Sequence, residues 1–209
     1  DSLRSLGVPM GHESNVNAVS VVAQGRVICT ATHDGTVKLW MIGRVRESCA
    51  LRGHEGLVFD TVFDPTGKRI LSASSDGTAK LWDVETGREL MGMEEHDAEV
   101  RAASFSSDGR TAATGDRDGA IYLWDVSSGG KAVRLKTEGD AVMALAFGAE
   151  GRRLAVGYWQ QPAELWDVGK RSKIRILGGL RQYQVSLDFS PDGRRLAMAG
   201  TGPTCLVDV

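Results

Sequence analysis

The stretch Ser74-Ser75-Asp76-Gly77-Thr78-Ala79-Lys80-Leu81-Trp82-Asp83 decides the fold, because versions of it return at one fixed interval. Trp40, Trp82, Trp124 and Trp166 stand 42 residues apart, and a fifth version ends in Val207-Asp208, with Val replacing Trp and one residue missing from the spacing. Gly25, Gly67, Gly109, Gly151 and Gly193 keep the same period, as do His12, His54 and His96. Asp34-Gly35, Asp76-Gly77 and Asp118-Gly119 each precede an apolar run. Asp-Gly is the pair that suits a tight hairpin needing positive φ.

Self-similarity at a period of about 40 to 45 residues marks a repeat architecture. With Trp-Asp closing the repeat, the chain resembles the WD-repeat β-propeller family along essentially its whole length. That resemblance implies an all-β fold of four-stranded blades. Five are visible, in repeats at approximately 11–52, 53–94, 95–136, 137–178 and 179–209. Residues 1–10 carry Ser2 to Leu6, which aligns with the outer strands of other repeats and is expected to belong to a neighbouring blade. Pairing of Ser2–Leu6 with Thr204–Val209 is the register that would close five blades. A five-bladed ring must turn sharply at each blade, so the expectation is an arc of a larger, about seven-bladed propeller, within the known range of roughly four to eight. The further blades would come from the same chain or a second one.

Composition narrows the function. The 209 residues carry a net charge of −2, against the broad positive field of nucleic-acid binders. Cys29, Cys49 and Cys205 lack metal-ligand spacing and read as reduced, half-buried strand residues. No metal or cofactor motif is present, no apolar run approaches the roughly 20 residues of a membrane span, and no signal peptide is visible. The expectation is a cytoplasmic protein without membrane attachment.

In the WD-repeat family the recurring polar residues form a hydrogen-bonded chain within each blade, from hairpin Asp to His to strand hydroxyl to Trp. The resemblance assigns that chain to His12, Thr32, Asp34 and Trp40, and then to His54, Ser74, Asp76 and Trp82. In the third copy, His96, Asp118 and Trp124 are in place, with Asp116 at the expected hydroxyl. A catalytic triad is needed once, whereas this set is repeated, so its role is structural. The fourth and fifth copies lack the set and are expected to rely on apolar packing.

The family resemblance also places partner contacts on the top face, at the starts of inner strands and just before the hairpins. The residues there include Phe59, Arg101, Arg117, Met143, Trp159 and Tyr183, with Tyr158 beside Trp159. Trp, Tyr and Arg dominate binding hot spots. Phe59 and Met143 suit either a channel plug or a contact. Arg101 and Arg117 suit an acidic or phosphorylated peptide unless Glu99 and Asp116 neutralise them.

The leading functional expectation is a non-enzymatic scaffold that binds a protein or peptide. The alternative is a sensor domain of a larger prokaryotic signalling protein with a kinase or NTPase effector, suggested by phrases such as Phe189-Ser190-Pro191-Asp192-Gly193-Arg194. A propeller enzyme is disfavoured by the lack of any unrepeated Ser, His and Asp set. A ubiquitin-ligase receptor is disfavoured because no Trp-Asp-x is followed by Arg.

Overall fold

The computed structural model describes residues 11–22, 26–41, 46–178, 184–201 and 204–209. The period of the sequence becomes a period of sheets. Blade one holds β1 (Val16–Val21), β2 (Val27–Thr32), β3 (Val37–Met41) and β4 (Arg46–Leu51). Blade two holds β5 (Val58–Phe63), β6 (Arg69–Ser74), β7 (Ala79–Asp83) and β8 (Glu89–Met93). Blade three holds β9 (Val100–Phe105), β10 (Thr111–Asp116), β11 (Ile121–Asp125) and β12 (Lys131–Leu135). Blade four holds β13 (Val142–Phe147), β14 (Arg153–Tyr158), β15 (Glu164–Asp167) and β16 (Ser172–Ile176). Blade five holds β17 (Gln184–Phe189), β18 (Arg195–Gly200) and β19 (Cys205–Asp208). Each sheet is an antiparallel meander in chain order.

The fifth sheet therefore has three described strands where a four-stranded blade was expected. The strand expected at Ser2–Leu6 lies outside the described residues, as does Tyr183.

In blades two and three the first two hairpins are each set by a glycine at positive φ. Gly77, at φ 83°, closes the turn between β6 and β7, and Gly67, at φ 69°, closes the one between β5 and β6. The Gly67 turn is held by Asp64, whose Oδ1 accepts the backbone N–H of Lys68 and of Arg69.

Successive blades bury apolar faces against each other. Cys29, Ala31 and Leu39 of blade one pack on Val58, Phe63, Ile70 and Trp82 of blade two. Ala144, Ala155 and Leu165 of blade four pack on Leu187, Leu196 and Met198 of blade five. The inner strands pack in the order β1, β5, β9, β13 and β17. Side chains tie neighbouring inner strands where no backbone ladder exists. Ser20 Oγ accepts the N–H of Phe63 at 3.4 Å, Asp60 Oδ2 that of Ala103 at 3.0 Å, and Ser104 Oγ that of Phe147 at 3.3 Å. Burial pushes the Asp60 carboxyl up, and the N–H groups of Ala103 and Thr61 partly offset that.

Cys29 is fully buried rather than half-buried, beside Thr61 Oγ1 at 3.3 Å. Burial pushes its thiol up to about 11, so it behaves as a packing residue rather than a nucleophile.

Candidate functional site

The polar chain runs from carboxylate to Trp in blades two and three and from His to Trp in blade one, with a correction to its members. Ser72 Oγ, not Ser74, accepts the indole N–H of Trp82 at 2.8 Å and meets His54 Nε2 at 2.7 Å. His54 Nδ1 faces Asp76 Oδ2 at 2.9 Å. In blade one Thr30, not Thr32, takes this place, accepting from Trp40 at 2.9 Å and meeting His12 Nε2 at 3.2 Å. Thr32 instead donates to Asp34 at 2.6 Å, and Thr36 donates to the same carboxylate. Those hydroxyls, Thr32 first, hold Asp34 down to about 2.

Blade three departs from the pattern, but in its carboxylate rather than its hydroxyl: the acid comes from Asp116, at the position of Ser74, and not from Asp118, at the position of Asp76. Thr114 is its hydroxyl, bonded to Trp124 and His96 at 2.8 and 2.7 Å, and Asp116 is its carboxylate, 2.7 Å from His96 Nδ1. Asp118 lies on the outside and pairs with Arg117 at 3.5 Å. The reason is geometric. In the register Ile70 opposes Trp82 and Ser72 opposes Lys80, so Ser72 is the diagonal neighbour of the Trp and within its reach. Ser74 is two residues farther, about 7 Å along the strand. The signal was available: a hydroxyl recurs at Thr30, Ser72 and Thr114.

Blade four has built a different network rather than none. Glu164, buried, accepts from Tyr158 Oη at 2.9 Å, Trp166 Nε1 at 2.9 Å and Lys173 Nζ at 2.8 Å. Val156 stands at the hydroxyl position, so the Trp finds its acceptor two residues back on its own strand instead. Tyr158 occupies the place of Asp116, and the missing side chain of Gly139 makes room for it: a Cβ there would lie 2.1 Å from Tyr158 Cε1. Burial first, and the Glu164 carboxylate second, push the Tyr158 phenol up. Tyr158 is therefore removed from the candidate contact set, because it is fully buried with its hydroxyl engaged.

The remaining candidates share one end of the blades. The pre-hairpin residues bond to the inner-strand starts in four blades: His33 N–H to Asn15 O, Ser75 to Leu57, Arg117 to Glu99 and Trp159 to Ala141, all at 2.9 Å. At that end every inner strand carries a bulge. The pairing steps from Val58 to Asp60 and from Val142 to Ala144, leaving Phe59 and Met143 outside the register, and Arg101 lies between Val100 and Ala102 in the same way. A bulge re-aims a side chain away from the strict alternation of a strand. Here three re-aimed side chains meet. The Arg101 guanidinium lies 5.5 Å from the Phe59 ring centre, and its Nη1 is 3.9 Å from Met143 Sδ. The three are half-buried at the mouth of a cavity of about 470 Å³ between the inner strands.

Arg101 is also held by Glu99, through Nη2 at 2.9 Å, and Arg117 reaches the same carboxylate at 3.6 Å. Glu99 and Asp118, rather than the buried Asp116, balance the two arginines. Trp159 is 39% exposed on the rim.

No curated protein matches the chain. The family model described as WD domain, G-beta repeat matches residues 3–41, 46–83 and 87–125. Each matched segment ends at or just past the Trp that its blade buries against Thr30, Ser72 or Thr114. With that match covering more than half of the sequence, and with meander sheets returning at the same period, the chain belongs to the WD-repeat family.

Proposed function

We propose that the chain is a protein-binding scaffold whose contact surface is the end carrying Phe59, Arg101, Met143, Arg117 and Trp159. WD repeats generally scaffold protein–protein interactions, and proteins built from them are typically non-enzymatic. The observation that carries the reading is the run from Phe59 through Arg101 to Met143. Three blades each contribute a bulged residue to one continuous, half-exposed strip beside a cavity, with an exposed Trp nearby. Trp and Arg are enriched at binding hot spots, and Trp159 and Arg101 supply them here. Glu99 already satisfies Arg101, so the strip suits a peptide with an apolar or aromatic anchor better than a phosphate group.

The test is selection of peptides from a random library on the immobilised protein, followed by binding to variants. Arg101→Ala and Trp159→Ala should each weaken the selected peptides, while Asp192→Ala, at the Gly193 hairpin, should not. Full retention in both top-end variants would overturn the reading.

A further inference from the structure

The hairpin between the first and second strands is tied by side chains in blades two, three and five, and not in blade four. In blade two Asp64 Oδ1 accepts the N–H of Lys68 at 2.9 Å and that of Arg69 at 3.0 Å, while Oδ2 takes Arg69 Nε at 3.1 Å. In blade three Ser106 Oγ accepts the N–H of Thr111 and Asp108 Oδ1 that of Arg110, both at 3.0 Å. In blade five Ser190 and Asp192 do the same for Arg195 and Arg194, at 2.9 and 3.0 Å. The blade-four residues in these places are Gly148, which has no side chain, and Glu150, whose longer side chain runs out to Arg152 Nη1 at 3.9 Å. Among the described residues no other side chain takes up the backbone N–H of Arg152 or of Arg153.

The missing side chain leaves space as well as donors. In blade two Arg69, fixed by the buried Asp64, spans to the next blade: its Nη2 donates to Gly109 O at 2.7 Å, and the guanidinium lies 5.8 Å from the Phe105 ring centre. Arg153 is the counterpart of Arg69, with glycine in place of that carboxylate. At this junction of blades four and five there is a cavity of about 490 Å³, with Arg152 and Arg153 on one side and Arg194 on the other. The size falls within the roughly 300–1,000 Å³ of small-molecule sites. Glu150, Asp167 and Asp192 also line it, and two of them are engaged, Asp167 by the Lys170 N–H and Asp192 by Ser190 and the Arg194 N–H. Their charges weigh against a polyphosphate, which would bring several like charges beside them. Ile174, 49% exposed, gives the wall an apolar side.

We propose that this cavity is a binding site for a small organic carboxylate with an apolar body. The carboxyl takes the place that the Asp64 carboxyl fills in blade two, on the Arg152 and Arg153 N–H groups and the Arg153 guanidinium, and the body lies along Ile174. Charge-assisted bonds of this kind are the strong ones, and a guanidinium matches a carboxylate in two parallel bonds. The site is at the end of the blades opposite Phe59, Arg101 and Met143, because this hairpin follows the end of the inner strand and those three residues sit near its start. It therefore stands whether or not the opposite end binds a peptide.

The probe is sodium hexanoate, titrated into the chain at constant ionic strength while the amide resonances of Arg152 and Arg153 are followed. Both should shift to saturation, and acetate and inorganic phosphate should bind more weakly. Arg153→Gln should weaken hexanoate about tenfold or more, the worth of one charge-assisted bond, without lowering Tm. Gly148→Asp supplies the carboxylate from within the chain. A Cβ at Gly148 lies 3.4 Å from Arg153 Cβ and 3.5 Å from Phe189 Cε1, which is ordinary contact, so the variant should gain Tm and lose hexanoate binding. Gly148→Ser, which places there the residue type of Ser106 and Ser190, repeats the test without a new charge and should also weaken hexanoate. Three results would overturn the proposal. One is amide shifts that stay linear in hexanoate, which means no site. The second is phosphate binding more tightly than hexanoate, which means a site for another anion. The third is hexanoate binding in Gly148→Asp and Gly148→Ser as tight as in the parent, which means the probe sits elsewhere.

Discussion

The indole N–H of Trp82 reaches Ser72 Oγ at 2.8 Å, and the same oxygen meets His54 Nε2 at 2.7 Å. One small hydroxyl therefore joins the third strand of a blade to the segment that precedes its first. Ser74, two residues on along the same strand, makes a weaker bond of another kind, accepting the Asp76 N–H at 3.2 Å.

Ser72→Ala leaves the buried Trp82 N–H and the His54 ring nitrogen without their shared partner. Each stranded group costs about 1–3 kcal/mol, so the variant should lose about 2 kcal/mol or more. Ser74→Ala removes one bond and should cost about 1 kcal/mol. Urea unfolding of the two variants side by side checks the order. Equal losses would mean that the assignment of Ser72 over Ser74 is wrong.

Glu164 carries blade four in the same sense. Glu164→Ala strands the Tyr158 hydroxyl and the Trp166 N–H, both buried, and should cost about 2–6 kcal/mol at roughly 1–3 for each group. Glu164→Gln keeps an acceptor oxygen but gives up the charge that faces Lys173, and should cost less. A variant Glu164→Ala as stable as the parent would show that apolar packing alone holds this blade.

Much of this architecture was legible because backbone demands repeat. Trp, Asp-Gly and the second hairpin Gly recur at one period since each blade needs the same turns and the same packing face, and the strands appeared where the alternation put them. Residues 72 and 74 share a face, so alternation cannot separate them as the hydroxyl of the network; the diagonal offset between strands does, and so does the recurrence of a hydroxyl at Thr30, Ser72 and Thr114. Tyr158 looked like rim because the sequence shows its neighbour Trp159 but not the hollow that Gly139 leaves for its ring. Glu164 went unseen because it replaces a lost network from a new position. The bulges at Phe59, Arg101 and Met143 carry no sequence mark of their own, and without them the three side chains would not have been expected to touch.

Acid should weaken the fold in two steps. Burial lowers the His54 imidazole below its ordinary range, with Asp76 partly offsetting it. The unfolded chain then binds a proton there that the folded chain resists, so stability falls as pH drops below about 6.5. Burial raises the Asp76 carboxyl, but bonds from Thr78, His54 and the Glu55 N–H outweigh that and hold it down to about 2. Its contribution is present above the ordinary carboxylate value near 3.8 and is lost between there and about 2. Thermal unfolding across pH 7 to 3 should show the upper decline, and His54→Gln should flatten it. An unchanged profile in that variant would remove His54 as its source.

Arg101 is the residue on which binding and stability should separate. Its guanidinium rests on the Phe59 ring and against Met143 Sδ while Glu99 holds it from the side. It is half-exposed, and a cation over an exposed ring is worth only about 0.5–1 kcal/mol. Arg101→Ala should therefore unfold within about 1 kcal/mol of the parent. At the centre of a contact strip the same truncation should cost about 2 kcal/mol, roughly thirtyfold in Kd for a selected peptide. Arg101→Lys keeps the charge but loses the flat group that spans Phe59 and Met143, and should recover only part of that affinity. Calorimetric titration beside urea unfolding checks both quantities. If Arg101→Lys restores binding fully, the residue acts through charge alone; if both variants lose stability and affinity in parallel, Arg101 supports the fold rather than the contact.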